Sequence, residues 1–149
     1  MRGEGSVRKI VGGLAHVAQV EVEVVESQVI QVKDRCDGDG WIRQGSIEDA
    51  PAEGYEAWKR AAALGARYAL DSLGRTAEVT VERISGLATD TNATAVAIAA
   101  ARGVWQALGA SAPDGIDEQL EELLRSAWEI DPEVAPMLAE GAGDVDARP

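Results

Sequence analysis

The stretch VERISGLATDTNATAVAIAAARGVWQAL, residues 81–108, is the most informative part of the chain about its architecture. It begins as an alternating, strand-like segment and continues, after one glycine and the polar cluster at 89–92, as an Ala-rich pattern with helical spacing. The Thr, Asp and Asn side chains of that cluster are favoured at helix N-caps, because their oxygens accept free backbone N–H groups. The pattern therefore predicts a strand, a capped connector at the junction 86–92, and a helix from about Ala93 to Leu108.

Upstream of this stretch, alternation with period two predicts two more strands. Valines alternate with glutamates over 20–24, and apolar residues alternate with polar ones over 30–33, after a Glu-Ser-Gln break. We interpret these strands as an antiparallel hairpin with one solvated face. Residues 51–73 carry apolar side chains at steps of three and four, which predicts a helix with Pro51 in its first turn and Gly74 at its end.

The order of elements is therefore hairpin, helix, strand and helix. Helices that follow strands on one side of a small sheet form a two-layer sandwich. We expect an α+β domain over 1–113, with a small, mostly antiparallel sheet and helices on one face. After Pro113, DGIDEQLEELLRSAWEI predicts an acidic amphipathic helix over 114–139, whose apolar stripe includes Trp128. The composition of 140–149 predicts a disordered tail.

Charge and composition exclude several classes of protein. The 149 residues fit one domain, and their net charge is -12. Residues 114–149 hold eleven acids and two arginines, so the excess is concentrated there. Tight nucleic-acid binding needs surplus Lys and Arg, so we expect no nucleic-acid partner for the full chain. The N-terminus has no run of seven apolar residues, which predicts a cytoplasmic protein without a signal peptide, membrane span or membrane partner.

Few residues are candidates for chemistry. His16 and Cys36 are the only histidine and cysteine, which excludes a Cys/His zinc cluster, and we expect neither metal nor cofactor. His16 could act as a general base, and Asp90 and Thr91 could place a carboxylate and a hydroxyl around a small ligand. The alternatives are a structural role for His16 and helix capping by Asp90 or Thr91. Cys36 is either a reactive thiol activated by Arg35 or an inert, half-buried side chain.

Residues 54–108 carry a resemblance to a known family. GYEAWKRAAALGARYAL resembles the Gly-Tyr and long helix of domain IV of elongation factor G and of the related ribosome-protection proteins. The stretch from AEVTVERISG to the Ala-rich helix resembles their next strand, loop and helix. The resemblance implies their α+β fold and a domain that probes the ribosomal decoding site within a multidomain GTPase.

The chain departs from that setting in three respects. It has no Gly-x-x-x-x-Gly-Lys-Ser/Thr phosphate loop, no room for a GTPase domain, and an acidic extension. We therefore expect a stand-alone, domain IV-like protein without GTPase activity.

Two classes of function remain open. The first is a non-enzymatic interaction or assembly module that binds a protein partner or itself. A homodimer is expected, because a small sheet with helices on one side exposes its other face and an edge strand. The second is a small cytoplasmic enzyme with a site near 86–92. A cavity lined by His16, Asp90 and Thr91 would favour the enzyme, and a flat apolar patch holding Trp41 or Trp128 would favour the module.

Overall fold

A computed structural model describes residues 1–11, 13–87 and 89–124 of the chain. In these ranges the secondary structure comprises, in chain order, β1 (Arg2–Val11), β2 (Leu14–Glu26), β3 (Gln31–Asp34), β4 (Glu48–Asp49), α1 (Glu56–Leu73), β5 (Ala77–Gly86), α2 (Ala93–Ala107) and α3 (Ile116–Leu123). The predicted helix from about Ala93 is confirmed, and Asn92 is its N-cap. No helix in the described part of the chain is long and apolar enough to cross a membrane.

The strands form one sheet in the order β1-β2-β5-β3, and the short β4 also pairs with β5. All pairs are antiparallel except β3 with β5. The buried faces of β1 and β2 meet α2, whereas β5 and β3 contact α1, and the two helices pack against each other. The predicted two-layer α+β sandwich, with a mostly antiparallel sheet, is thereby confirmed.

The predicted hairpin is wrong in its pairing. The partner of β2 is β1, through a turn at Gly13, and residues 31–34 pair in parallel with β5 instead. The strand β1 carries two glycines and adjacent basic residues, which are poor strand formers, so its alternation is too weak to predict a strand. Once β1 takes one edge of β2, the apolar strand β5 takes the other and occupies the centre of the sheet.

Small residues bring the two layers into close contact. A Cβ on Gly5 would lie well inside van der Waals contact of the Ala99 carbonyl in α2, and a Cβ on Gly65 would meet the Ala97 carbonyl in the same way. The backbones of β1 and α1 therefore approach α2 more closely than any larger residue permits. This packing explains a core built from Ala and Val in a chain that has no Phe.

The first long helix begins later than predicted. It starts at Glu56, so Pro51 lies outside its first turn, whereas Gly74 ends it in the left-handed conformation, as predicted. Its N-cap is Tyr55, a non-glycine residue with a positive φ of 56°. This conformation turns the chain sharply from the loop before α1 into the helix.

The C-terminal helix packs on the domain itself. Leu120 and Leu124 are fully buried, and Arg102 of α2 binds Asp117 and Glu121 on the polar side of α3. The predicted helix at 114–139 is thus observed from Ile116, and its apolar stripe is covered intramolecularly as far as Leu124. Trp128, the rest of that helix and the predicted disordered tail at 140–149 lie outside the described residues.

Candidate functional site

The junction between β5 and α2 is held to strand β2 by hydrogen bonds. Thr91 Oγ1 accepts from the Leu87 N–H (2.7 Å) and donates to the Val17 carbonyl (2.5 Å). The Asp90 carbonyl accepts from the Val17 N–H (2.8 Å), so the loop continues the sheet beyond the end of β5. A Cβ on Gly86 would collide with the Thr91 side chain, which explains the glycine there.

Asn92 joins the cap of α2 to His16. Its Oδ1 accepts from the Ala95 N–H (2.8 Å), so its Nδ2 donates to Nδ1 of His16 across 2.9 Å. This bond places the proton of the neutral imidazole on Nε2. Burial lowers the pKa of His16, which is fully buried beneath the first turn of α2.

The predicted connector is therefore capped at Asn92, and Thr91 has a different structural role. Its hydroxyl joins the junction to β2 and does not cap the helix. The expectation that Asp90 or Thr91 supplies the cap is wrong, because α2 begins immediately after Asn92. His16 and Thr91 both lie close to this junction, but on the side of β2 that faces the helices.

Cys36 is buried, which argues against the reactive thiol. Burial, followed by the charge of Asp34, raises its pKa to about 11. Since the thiolate is the reactive form, this environment suppresses nucleophilic chemistry at neutral pH. The charge of Lys59 acts in the opposite direction and lowers this pKa, but it is outweighed.

An apolar groove of about 400 Å³ lies on the open face of the sheet, opposite the helices. It is formed where the end of β1, the start of β2, the end of β5 and the residue before β4 come together. Hereafter the apolar groove denotes the surface lined by Arg8, Lys9, Ile10, Ala15, Val17, Ala18, Gln19, Ile47, Ser85, Gly86 and Leu87. His16, Asp90 and Thr91 are not among its described lining residues. The His16 side chain is buried on the face of β2 that is opposite to Ala15 and Val17, because alternate residues of a strand point to opposite faces.

One loop beside the groove exposes several large apolar side chains. Trp41, Ile42 and Ile47 are exposed by 63%, 59% and 61%, and Ile10 on the opposite rim of the groove is exposed by 75%. We call residues 41–47 the Trp41 loop. Ile47 belongs to both the loop and the lining of the groove, so the two surfaces are continuous.

The Trp41 loop is ordered by its own hydrogen bonds. Ser46 Oγ donates to the Arg43 carbonyl (2.7 Å), and Gly45 closes the turn with φ 83°. At the base of the loop, the Gly40 N–H donates to the Asp49 carbonyl (2.8 Å). These hydrogen bonds fix the backbone of the loop in a conformation that leaves its apolar side chains exposed to solvent.

Tyr55 braces this loop against α1. Its hydroxyl donates to the buried Glu48 carboxylate, and its ring contacts Trp58 edge to face, with the ring centroids 4.9 Å apart. Burial and the bond to Glu48 raise the pKa of Tyr55 to about 12. The ring also lies near Gly40, the residue that precedes the Trp41 loop: its Cε1 and hydroxyl would be 3.7 Å from a Cβ on that glycine.

Elsewhere on the open sheet face, several charged side chains form ion pairs. Arg83 binds Asp49 (2.9 Å) and lies 3.8 Å from Glu21, and Lys33 binds Glu78 (2.8 Å). Burial alone would raise the pKa of Asp49, but hydrogen bonds from Arg83 and Ser85 outweigh it and lower the pKa. Among the described residues, Ile10, Trp41, Ile42 and Ile47 form the group of exposed large apolar side chains at the groove and the Trp41 loop, while Met1, Val25 and Val29 are exposed elsewhere.

The comparisons with known proteins show the fold alone. No protein-family model and no curated protein matches the chain. Among solved structures, it is similar to the crystal structure of ttk003000868 from Thermus thermophilus, with a TM-score of 0.56 and 17% identity. The match covers 70% of this chain and 15% of the Thermus chain, so the shared fold is a small part of that larger protein.

Proposed function

We propose that this chain is an interaction module, domain IV-like and without GTPase activity, that binds a protein partner or a second copy of itself. Its binding surface is the apolar groove together with the Trp41 loop. The observation that carries the proposal is the exposure of Trp41, Ile42 and Ile47 by more than half on one ordered loop. Single exposed apolar residues are common on protein surfaces, whereas a contiguous group beside a groove is typical of interaction sites.

The energetics favour a macromolecular partner for this surface. Fully burying one large apolar side chain contributes about 1.5–3 kcal/mol, so covering three such side chains offsets a substantial part of the cost of association. Trp is enriched among the residues that dominate binding energy at interfaces. Because the loop is already ordered by Ser46 and Tyr55, little further entropy is lost when a partner binds.

The partner is proposed to be a protein because of the charge of the chain. With a net charge of -12, the chain as a whole repels phosphate backbones. The domain IV-like assignment is supported by the quoted motifs and is compatible with the observed α+β fold. This assignment concerns only the architecture of the domain, and we do not propose a role at the ribosome.

The alternative, a small enzyme with a site near 86–92, has less support. Asn92 and Thr91 both use their side chains to hold the junction, and His16 is fully buried with its Nδ1 bound to Asn92. The groove nearby presents Ser85, whose Oγ donates to Asp49, an acceptor that is also bound by Arg83. None of these contacts resembles a nucleophile poised beside a general base.

Capture of partners by the full-length chain tests the proposal. Three versions of the chain serve as bait: wild type, Ile42→Asp and Ala57→Asp. Each is incubated with an extract of cells of the organism that carries its gene. Ala57 is exposed on α1 and belongs neither to the groove lining nor to the Trp41 loop, so Ala57→Asp adds the same charge outside the proposed surface. We expect a partner that wild type and Ala57→Asp retain and Ile42→Asp loses. Identical protein sets on all three baits would refute the proposed surface.

A further inference from the structure

The apolar groove and the Trp41 loop are complementary parts of one surface. The groove is a recess of about 400 Å³ whose described lining includes Ile10, Val17 and Leu87, a size that receives large apolar groups. The loop exposes Trp41 and Ile42, which are not among the described residues that line the groove of their own chain. Within one chain, the loop thus presents apolar side chains next to an apolar recess that these side chains do not line.

Ile47 joins the loop to the groove. It is the last residue of the Trp41 loop and also lines the groove, and the strand β4 that follows it pairs with the end of β5. A two-fold axis that crosses the open sheet face close to Ile47 therefore exchanges the positions of loop and groove between two copies. Such a contact is isologous, with the two-fold symmetry that is commonest among soluble oligomers. One second copy thus supplies both a loop for the groove and a groove for the loop.

The exposed apolar side chains provide most of the apolar area that a dimer interface needs. A standard interface buries about 800 Å² on each partner, of which somewhat more than half is apolar. Four large side chains of this surface are each exposed by more than half: Ile10, Trp41, Ile42 and Ile47. At about 100–200 Å² for a fully exposed side chain of this size, the four together expose roughly 350 Å². The walls of the groove add further apolar surface, so the exchanged contact has enough apolar area for a stable dimer.

We propose that two copies of the chain associate about a two-fold axis near Ile47, with the Trp41 loop of each copy inserted into the apolar groove of the other. Trp41 and Ile42 of one copy pack against Ile10 and Leu87 of the second copy, and Ile47 contacts its own counterpart. The occupant of the groove is therefore a second copy of this chain. This arrangement rests on the proposed function, because it uses the same binding surface.

Paramagnetic broadening between two differently labelled full-length chains tests the exchange. One chain, without ¹⁵N, carries a nitroxide at a cysteine introduced as Gln44→Cys, an exposed position of the Trp41 loop, while the buried Cys36 stays unlabelled under native conditions. It is mixed with ¹⁵N-labelled chain without nitroxide, so any specific broadening arises between copies. We expect loss of peak intensity for the amides of Ile10, Val17 and Leu87. The amides at the end of α1, residues 66–73, should keep full intensity, because α1 ends next to the start of β5 and the groove lies at the other end of that strand.

Three outcomes of this mixture would overturn the proposal. The first is full intensity at the groove amides, and the second is an even loss over the whole molecule. The third is a loss that is strongest at the amides of Trp41 and Ile42, which would place the two loops against each other instead of in the grooves.

Two matched variants show that the broadening comes from the inserted loop. A nitroxide at Asp71→Cys, an exposed position near the end of α1, should leave the groove amides at full intensity. Ile42→Asp, introduced into both chains beside the loop label, should restore the lost intensity, because a charged side chain is costly to bury in the groove. Dispersed amide spectra establish that each variant is folded. Equal broadening with and without Ile42→Asp, or from both label positions, would overturn the exchange.

Failure of the exchange is distinguishable from failure of the proposed function. If the mixture shows no broadening but Ile42→Asp loses a protein that wild type captures, the exchange fails and the binding surface remains supported. If the mixture shows no broadening and all three baits capture the same proteins, both proposals fail.

Discussion

The histidine and asparagine at the β2–α2 contact form one structural unit. Asn92 caps the helix with one end of its amide and binds His16 with the other. A residue type expected at a cap thus has a second role that the sequence does not indicate, because its partner lies 76 positions away. The same pair gives the buried His16 a hydrogen-bond partner for its Nδ1.

Removal of the cap is expected to destabilise the protein. Asn92→Ala should lower the free energy of unfolding by about 1–2 kcal/mol, because the Ala95 N–H loses its acceptor. Thr89→Ala changes an exposed residue of the same cluster and should stay within about 0.5 kcal/mol of wild type. Chemical denaturation measures both. Equal effects of the two substitutions would contradict the assignment of Asn92 as the cap.

Protonation of His16 is expected to make stability depend on pH. Its pKa in the folded state lies below the ordinary value of 6.5, so the unfolded chain binds the proton more tightly. The stabilising contribution is therefore complete above pH 6.5 and decreases as pH falls through 6.5 towards the lower folded pKa. Denaturation from about pH 7.5 to about pH 5.5 should show this loss in wild type but not in His16→Gln. Parallel pH profiles of the two proteins would be inconsistent with a neutral, buried imidazole.

Among the secondary-structure elements, the contact between β1 and α2 determines the shape of the sandwich. Gly3 and Gly5 let the helix backbone approach the strand, and α2 also covers the open edge of β1. Gln106 accepts from the Glu4 N–H (2.6 Å), and Arg102 donates to the Ser6 carbonyl (3.0 Å). The edge that was expected to be open for pairing is therefore partly occupied by side chains of α2, which disfavours strand addition at β1.

A methyl group at the β1–α2 contact is expected to separate the two elements. Gly5→Ala should cost about 1–3 kcal/mol of stability, since neither backbone can shift without disturbing the sheet or the helix. The matched substitution Ser6→Ala, at an exposed side chain of the same strand, should change stability by less than about 0.5 kcal/mol. Thermal or chemical unfolding distinguishes them. A harmless Gly5→Ala would show that the strand and the helix are not in close backbone contact.

Helices and strands with strong periodicity could be predicted from the sequence, but the strands that pair with one another in the sheet could not. The alternation in β2 and β5 and the Ala-rich pattern of α2 indicate which face each element buries, so the sandwich follows. The strand β1 was not predicted, because Gly3 and Gly5 interrupt its alternation of apolar and polar residues. The parallel pairing of β3 with β5 could not be predicted, because periodicity shows which face of a strand is buried but not which strand lies next to it.

The candidate site was only partly visible in the sequence for a related reason. Ile10, Ile47 and Leu87 are distant in sequence and form one groove only in the folded sheet. The available signal was local: Trp41, Ile42 and Ile47 stand in a loop rich in polar residues and glycine, where apolar side chains have no core to enter. The residues chosen for their chemistry, His16, Asp90 and Thr91, lie at the junction beside this groove.

For the whole molecule, we predict a homodimer that forms through the Trp41 loop. The stripe of α3 is covered by its own domain as far as Leu124, and the β1 edge is partly occupied, which leaves the loop as the strongest exposed apolar surface of the described residues. Light scattering of the full-length chain at micromolar concentration should give the mass of two chains, and Ile42→Asp should give the mass of one. A monomeric wild type would exclude self-assembly and leave a different protein as the proposed partner.

Site-specific photo-crosslinking inside the cells that encode the chain tests whether the Trp41 loop is a binding surface. A photoreactive amino acid replaces Ile42 in the full-length protein, and in a matched variant it replaces the exposed Ala57 on α1. We predict a discrete protein adduct, with a second copy or with another protein, from position 42 and none from position 57. A position 42 that yields no adduct, or the same adducts as position 57, would contradict the assignment of this loop as a binding surface.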